Sequence, residues 1–74
     1  MMLMPGQYQH DPDRLRAFLA AHKLTGADVG KVLGTDGRTV RRWTGVPGAP
    51  GSSDMPYSAW YALHHIVTGL APQP

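Results

Sequence analysis

The sequence predicts an all-α fold, a small helical bundle of four to five helices. Apolar residues recur at helical spacing, as at Leu15, Phe18 and Leu19, which occupy positions i, i+3 and i+4. Residues that cap helix N-termini precede such segments, and Gly34 stands where one of them should end. A chain of 74 residues has room for one domain, which should bury about 60% of its unfolded surface.

The composition excludes several classes of protein. No cysteine is present, so the chain can form neither disulfides nor thiolate metal sites, which favours a reducing, cytoplasmic setting. The apolar segment 1–4 is interrupted by Pro5 and Gly6 and is far shorter than a signal peptide or a membrane span. We therefore expect a soluble protein without membrane contact. The sequence shows no nucleophile paired with a base, no acid pair and no phosphate loop, which argues against an enzyme and its cofactors.

The first helix should span residues 12–22. Asp11 can cap its free amides, and Pro12 is tolerated in a first helical turn. Residues 1–10 have no apolar periodicity and should form a flexible N-terminal arm, from which Tyr8 could pack against this helix.

Two short helices should follow, with a brief turn between them. Residues 25–28 form a variant of the capping box and begin the second helix, which should span 26–33 and end at Gly34. Asp36 is the expected N-cap of the third helix. Two capped helices joined in this way predict a helix-turn-helix over residues 25–44, within a domain that covers 11–70.

The remainder should contain a loop and a last helix. Residues 45–53 are rich in glycine, proline and serine, which favours a loop. The C-terminal helix is expected over 54–68, with Trp60 and Leu63 on its inward stripe. Residues 71–74 should form a disordered tail.

Positive charge is concentrated in the third helix. The net charge is only +2, but Arg38, Arg41 and Arg42 lie close together, whereas the acidic residues are scattered. Val40 and Trp43 should hold this helix in the core and leave the arginines pointing outward. Such a helix fits the major groove of B-DNA, where arginine can donate two hydrogen bonds to guanine. An ordinary solvated helix face is the alternative interpretation.

Residues 24–43 resemble, without a gap, the Cro/repressor-type helix-turn-helix of phage and bacterial regulators. The residues that carry the resemblance are Leu24 and Thr25 at its start, Gly30, Gly34, Asp36, and the inward Val40 and Trp43. The resemblance implies sequence-specific binding to double-stranded DNA by a transcriptional repressor in the bacterial cytoplasm. Residues 10–13, the long loop and the Pro56-Tyr57 pair also resemble the small phage regulators associated with anti-CRISPR operons. That narrower resemblance implies autorepression of a phage operon.

The expected base contacts lie at the N-terminal end of the third helix. Arg38 and Arg42, one turn apart, are the expected base readers, with Thr39 next. The resemblance adds groove contacts at Asp36 and Gly37, of which Gly37 can offer only its backbone.

The expected phosphate contacts are Arg41, Thr25, Lys31 and Thr35. Arg41 is angled toward a flank of the third helix. The regulator family usually carries a phosphate-binding glutamine where this chain has Gly26, and Thr25 and Lys31 are plausible substitutes.

The C-terminal helix carries more aromatic side chains than its inward stripe requires. Tyr57, Tyr61, His64 and His65 cover a neighbouring strip, and such a strip on a small domain often marks a partner surface. We expect a homodimer through these residues, which would place two recognition helices about 34 Å apart on a palindromic operator. His64 and His65 are not expected to bind metal, because adjacent helical residues diverge by about 100°.

Two functions of different class remain open at this point. The first is a DNA-binding regulator, whose affinity for DNA should fall steeply with salt. The second is an interaction module that keeps the helix-turn-helix fold but binds a protein. No small-molecule ligand is evident for either.

Overall fold

The computed structural model of the protein describes residues 4–45 and 50–73. It contains α1 (Pro12–Ala21), α2 (Gly26–Leu33), α3 (Gly37–Thr44) and α4 (Tyr57–Thr68), preceded by a short 3-10 turn at Pro5–Gln7. No strand occurs in the described ranges, so the predicted all-α fold, a small helical bundle, is confirmed. None of the helices in these ranges has the length and apolar character needed to cross a membrane.

Local hydrogen bonds set the helix ends. Asp11 accepts a hydrogen bond from the amide of Asp13 at 2.9 Å and begins α1. Thr25 Oγ1 accepts from the amide of Asp28 at 3.1 Å, and the Asp28 carboxylate accepts from the amide of Thr25 at 2.9 Å. Gly34 ends α2 with a φ of 71°, a left-handed conformation that only glycine adopts without steric cost. The bounds of α2 agree with the prediction.

The core combines side chains from all four helices and from the segment before α4. Its members are Leu15, Leu19, Val29, Val40, Trp43, Met55, Trp60 and Leu63. α3 packs against α1 and α2, and α4 packs against α2. The sequence predicted an inward position for six of them, namely Leu15, Leu19, Val40, Trp43, Trp60 and Leu63.

The last helix begins at Tyr57 rather than at Asp54. Met55 is only 1% exposed, and it reaches the core from extended chain. Pro56 has a φ of −68° and a ψ of 153°, outside the helical region. Because proline disfavours helical geometry in the residue before it, Met55 cannot join a first helical turn. The predicted helix over 54–68 was therefore too long at its start.

Tyr8 connects the N-terminal segment to α4. Its hydroxyl donates a hydrogen bond to the carbonyl oxygen of Met55 at 2.6 Å. Its ring lies 5.5 Å from the ring of Tyr57 in an edge-on arrangement. Burial, with a contribution from Asp54, raises the pKa of Tyr8 to about 12. Tyr8 thus packs against α4, and it also lines a pocket with Arg14 of α1.

Residues 71–73 lie against the domain. Pro72 is buried, and Arg14 Nη2 donates a hydrogen bond to the carbonyl oxygen of Gln73 at 3.3 Å. Proline can be buried without leaving an amide N–H unpaired, because it has none. The structure therefore gives this segment defined neighbours, where the sequence alone suggested a disordered tail.

Gly30 allows α2 to approach the turn that leads into α3. A Cβ atom at Gly30 would lie 2.9 Å from the carbonyl oxygen of Thr35 and 3.3 Å from the carbonyl carbon of Asp36. Both are backbone atoms, which cannot rotate away as a side chain can. The amide of Thr35 also donates to the Gly30 carbonyl at 2.8 Å. The glycine is therefore required by the turn between α2 and α3.

Gly30→Ala should destabilise the domain by about 1 to 3 kcal/mol, the usual cost of overpacking, because the added methyl group displaces backbone. Gly37→Ala is the matched control. It also adds a methyl group to a helical glycine, but a Cβ there meets no atom within 4 Å, so stability should hold or rise. Urea unfolding of both variants measures the difference, and equal midpoints would contradict the steric role of Gly30.

Candidate nucleic-acid interface

α3 has one buried side and one charged side. Val40 is 1% exposed and Trp43 is 7% exposed, and both belong to the core. Arg38, Arg41 and Arg42 are exposed. The helix is thus held by its apolar pair, and its guanidinium groups are open to solvent.

Asp36 caps the N-terminal end of α3. Its Oδ1 accepts a hydrogen bond from the amide of Thr39 at 2.7 Å. The Thr39 amide, followed by the Thr39 hydroxyl, lowers the pKa of Asp36, and the charges of Arg38 and Arg42 lower it further. Two expected base-contact residues, Asp36 and Thr39, are therefore engaged with each other. Gly37, the third, is half-buried in the first turn of α3.

The α3 arginines line an open hollow together with the chain that returns from the loop. Gly45 and residues 50–52 form the rest of its wall, and the hollow has a volume of about 250 Å³. The amide of Ser53 donates to the carbonyl oxygen of Arg42 at 3.1 Å, which fixes the returning chain to α3. No acidic residue of the described ranges lines this hollow.

The sequence did not predict that residues 50–53, which end the predicted loop, lie against α3. The glycine, proline and serine content identified residues 45–53 as a loop, but composition does not say which helix a loop contacts. One geometric sign is the proximity of Gly45 to Ser52, since a Cβ at Gly45 would lie 3.5 Å from that of Ser52. The predicted loop also includes residues 46–49, which lie outside the described residues.

The expected phosphate contacts outside α3 lie on α2 and the turn after it. Thr25 is exposed, but its hydroxyl and amide both take part in the capping box with Asp28. Lys31 is exposed in the last turn of α2, and Thr35 is half-buried. None of these residues lines the arginine hollow.

His64, on the aromatic strip of α4, makes its ring contacts within the chain. Its ring centroid lies 4.1 Å from that of Trp60 and 4.2 Å from that of Phe18. Its Nδ1 lies 2.9 Å from the Trp60 carbonyl oxygen, which can only accept, so Nδ1 carries the proton. Burial lowers the pKa of His64, opposed by the Trp60 hydrogen bond and reinforced by the charges of Arg14 and His22. The environment therefore favours the neutral imidazole.

The other members of the aromatic strip are half-buried or exposed to solvent. Tyr57 and Tyr61 are half-buried, and His65 is exposed and stacks on Tyr61 with 6.1 Å between ring centroids. Beyond the strip, Ile66 is 57% exposed and Leu70 is 67% exposed. In the described ranges, no group of three His, Cys, Asp or Glu side chains could hold a metal ion.

Asp36→Ala should lower the melting temperature of the domain at about pH 7, because the amide of Thr39 loses its acceptor. Asp36→Asn is the control, since its side-chain oxygen can accept the same hydrogen bond.

The same pair of variants tests the pH dependence. The pKa of Asp36 is lower in the folded chain than in the unfolded chain. Its ionised form therefore adds stability above the unfolded pKa, and this stability is lost as the pH falls through the folded pKa. Acidification from about pH 7 to about pH 3 should thus cost the wild type more stability than it costs Asp36→Asn. Equal losses of stability on acidification would show that the ionised form of Asp36 does not stabilise the folded chain.

Comparisons of the chain with protein-family models, with curated proteins and with solved structures found no match. A functional assignment therefore has to come from the geometry and charge of the molecule itself. The exposed side of α3 is the feature with the most distinct chemistry.

Proposed function

We propose that this protein binds double-stranded DNA sequence-specifically, with α3 in the major groove. The observation that carries the proposal is the division of α3 into a buried pair, Val40 and Trp43, and three exposed arginines. An α-helix fits the major groove of B-DNA, where each base pair presents its own pattern of donors and acceptors. The α2–turn–α3 unit would act as a helix-turn-helix, with α3 as the recognition helix.

The proposed contacts follow from position on α3. Arg38 and Arg42 are separated by one helical turn, and each can donate two hydrogen bonds to guanine O6 and N7. Arg41 would contact a phosphate, because it lies on the flank of the helix. Asp36 and Thr39 can reach bases only with groups that also serve the cap. Their contribution to base recognition should therefore be smaller than that of the arginines.

Phosphate contacts would come from the flanks of this helix pair. Lys31 offers an exposed ammonium group at the end of α2. Thr25 and Thr35 could add contacts through hydroxyl or backbone groups. These contacts fix the position of the protein on the duplex but do not distinguish sequences.

The regulatory role that fits such binding is transcriptional repression by a phage or bacterial protein acting in the cytoplasm. The resemblance of residues 24–43 to Cro/repressor-type regulators supports this role, and the weaker resemblance to regulators associated with anti-CRISPR operons suggests autorepression. A homodimer through α4 would pair two recognition helices on a palindromic operator. Tyr57, Tyr61, His64 and His65 are the proposed contacts. His65 and Tyr61 suit this role better than His64, which is packed on Phe18 and Trp60.

A second candidate function is a protein-interaction module with this helical fold and no specific DNA binding. The exposed side chains of Ile66, in the last turn of α4, and Leu70, just after its end, favour it, because exposed apolar patches often mark partner surfaces. The two candidates differ in their response to DNA and salt.

The deciding experiment selects bound DNA from a random pool and then measures affinity for the selected site by fluorescence anisotropy. If about six or more phosphates are neutralised, the affinity should fall by orders of magnitude between about 50 and 200 mM salt. Recovery of an inverted repeat would support the dimer. Failure to enrich any sequence, with weak binding at low salt, would favour the interaction module.

Arg38→Ala and Arg42→Ala should each weaken binding to the selected site by about 1 to 3 kcal/mol and relax base preference, because each removes a base contact. Arg41→Ala should weaken binding to selected and random DNA alike. Arg14→Ala is the control, since it removes the same charge from α1, outside the arginine hollow. The assignment would be wrong if all three α3 variants lost equal affinity for random and selected DNA.

A further inference from the structure

The last carbonyl groups of α3 accept hydrogen bonds from other parts of the chain. α2 and α4 end at glycines with φ of 71° and 76°, whereas Gly45 after α3 is extended, with φ −70° and ψ 163°. The last carbonyl groups of a helix have no partner within it. In α3, the Arg42 carbonyl accepts from the amide of Ser53, and the Thr44 carbonyl accepts from the Arg16 side chain.

Arg16 joins α1 to this end of α3. Its Nη1 donates to the carbonyl oxygen of Thr44, and its Nη2 donates to the carboxylate of Asp13, one turn earlier in α1. The planar guanidinium group can serve two acceptors at once in a fixed geometry, which an ammonium group cannot do. The Asp13 carboxylate therefore orients the group that holds Thr44.

We propose that Arg16, oriented by Asp13, is a positioning residue that sets the angle of α3 on DNA. This inference rests on the DNA-binding function proposed above. α3 has eight residues and is held underneath by Val40 and Trp43. The Arg16 contact with Thr44 ties the C-terminal end of α3 to α1, and so adds a restraint against tilting to those from Val40, Trp43 and the amide of Ser53.

The effect of Arg16 should appear in base discrimination more than in stability. The side chains of Arg16 and Asp13 are 46% and 86% exposed, and an ion pair of this kind contributes little to folding. Base recognition, however, depends on the direction of each hydrogen bond, whereas a phosphate contact tolerates a displaced charge. A tilted α3 would retain phosphate contacts and lose bidentate base contacts.

A direct contact between Arg16 and a DNA phosphate is the competing explanation, and Asp13→Ala, which removes the acceptor for Arg16, separates the two. This substitution keeps Arg16 and makes the net charge more positive, so simple attraction predicts equal or tighter binding to all DNA. The positioning role predicts a lower ratio of affinities for selected and random DNA, because Arg16 loses the group that orients it.

The test measures that ratio for the wild type and four variants of the full chain. Arg16→Met, Arg16→Lys and Asp13→Ala should each lower the ratio by about tenfold, the loss expected from one bidentate base contact. Arg16→Lys should keep its affinity for random DNA, since its charge is unchanged. Arg14→Met, the matched control on α1, should leave the ratio unchanged. Equal losses of affinity for both DNAs in the Arg16 variants, or an unchanged ratio in Asp13→Ala, would overturn the proposal.

Amide hydrogen exchange tests the same contact without DNA. The last turn of α3 should exchange faster in Arg16→Met and Asp13→Ala than in Arg14→Met, at temperatures where circular dichroism shows all three folded. Unchanged exchange would show that Arg16 does not hold α3. If the wild type prefers no DNA sequence, the proposed function fails, and exchange still decides whether α1 restrains α3.

Discussion

The burial of Val40 and Trp43 is the contact on which the rest of the molecule depends. α3 has eight residues, and an isolated helix of that length is not stable in water. It exists because α1 and α2 cover its apolar side. Loss of a buried tryptophan side chain typically costs about 3 to 5 kcal/mol, as much as the core of so small a domain supplies. The arginine surface therefore exists only while this core is intact.

The acidic residues explain how a weakly charged chain has a strongly basic side. Asp11, Asp28 and Asp36 accept hydrogen bonds from helix amides, and Asp13 pairs with Arg16 on α1. Within the described ranges, that pair is the only salt bridge. Four of the five acidic residues are thus placed at helix N-termini, where the helix dipole favours negative charge. None of the α3 arginines forms a salt bridge within the described ranges. Their charges are therefore available to an external anion, although the net charge of the chain is only +2.

Features fixed by neighbouring residues could be predicted from the sequence, and features fixed across the chain could not. The caps at Thr25 and Asp36 and the bounds of α2 depend on side chains and amides a few residues apart. The burial of Met55 depends on the space left between helices, and the packing of Tyr8 depends on where α4 begins. Likewise, the exposure of the arginines followed from helical periodicity, but the wall at residues 50–52 and the Arg16 contact required the fold.

Asp36 shows how stability and the proposed function constrain one another. Its backbone lies against Gly30, and its carboxylate caps α3 through the amide of Thr39. The same carboxylate places negative charge near Arg38 and Arg42, which opposes the approach of DNA phosphates. Affinity for DNA alone would favour a neutral residue at this position. Capping of α3 requires only a side chain that can accept a hydrogen bond. Asparagine would meet both demands, whereas aspartate adds a negative charge that the positive end of the helix dipole favours. If α3 enters the major groove as proposed, this carboxylate would repel phosphates but could accept a hydrogen bond from the amino group of cytosine, so its effect on binding would depend on the base that it faces.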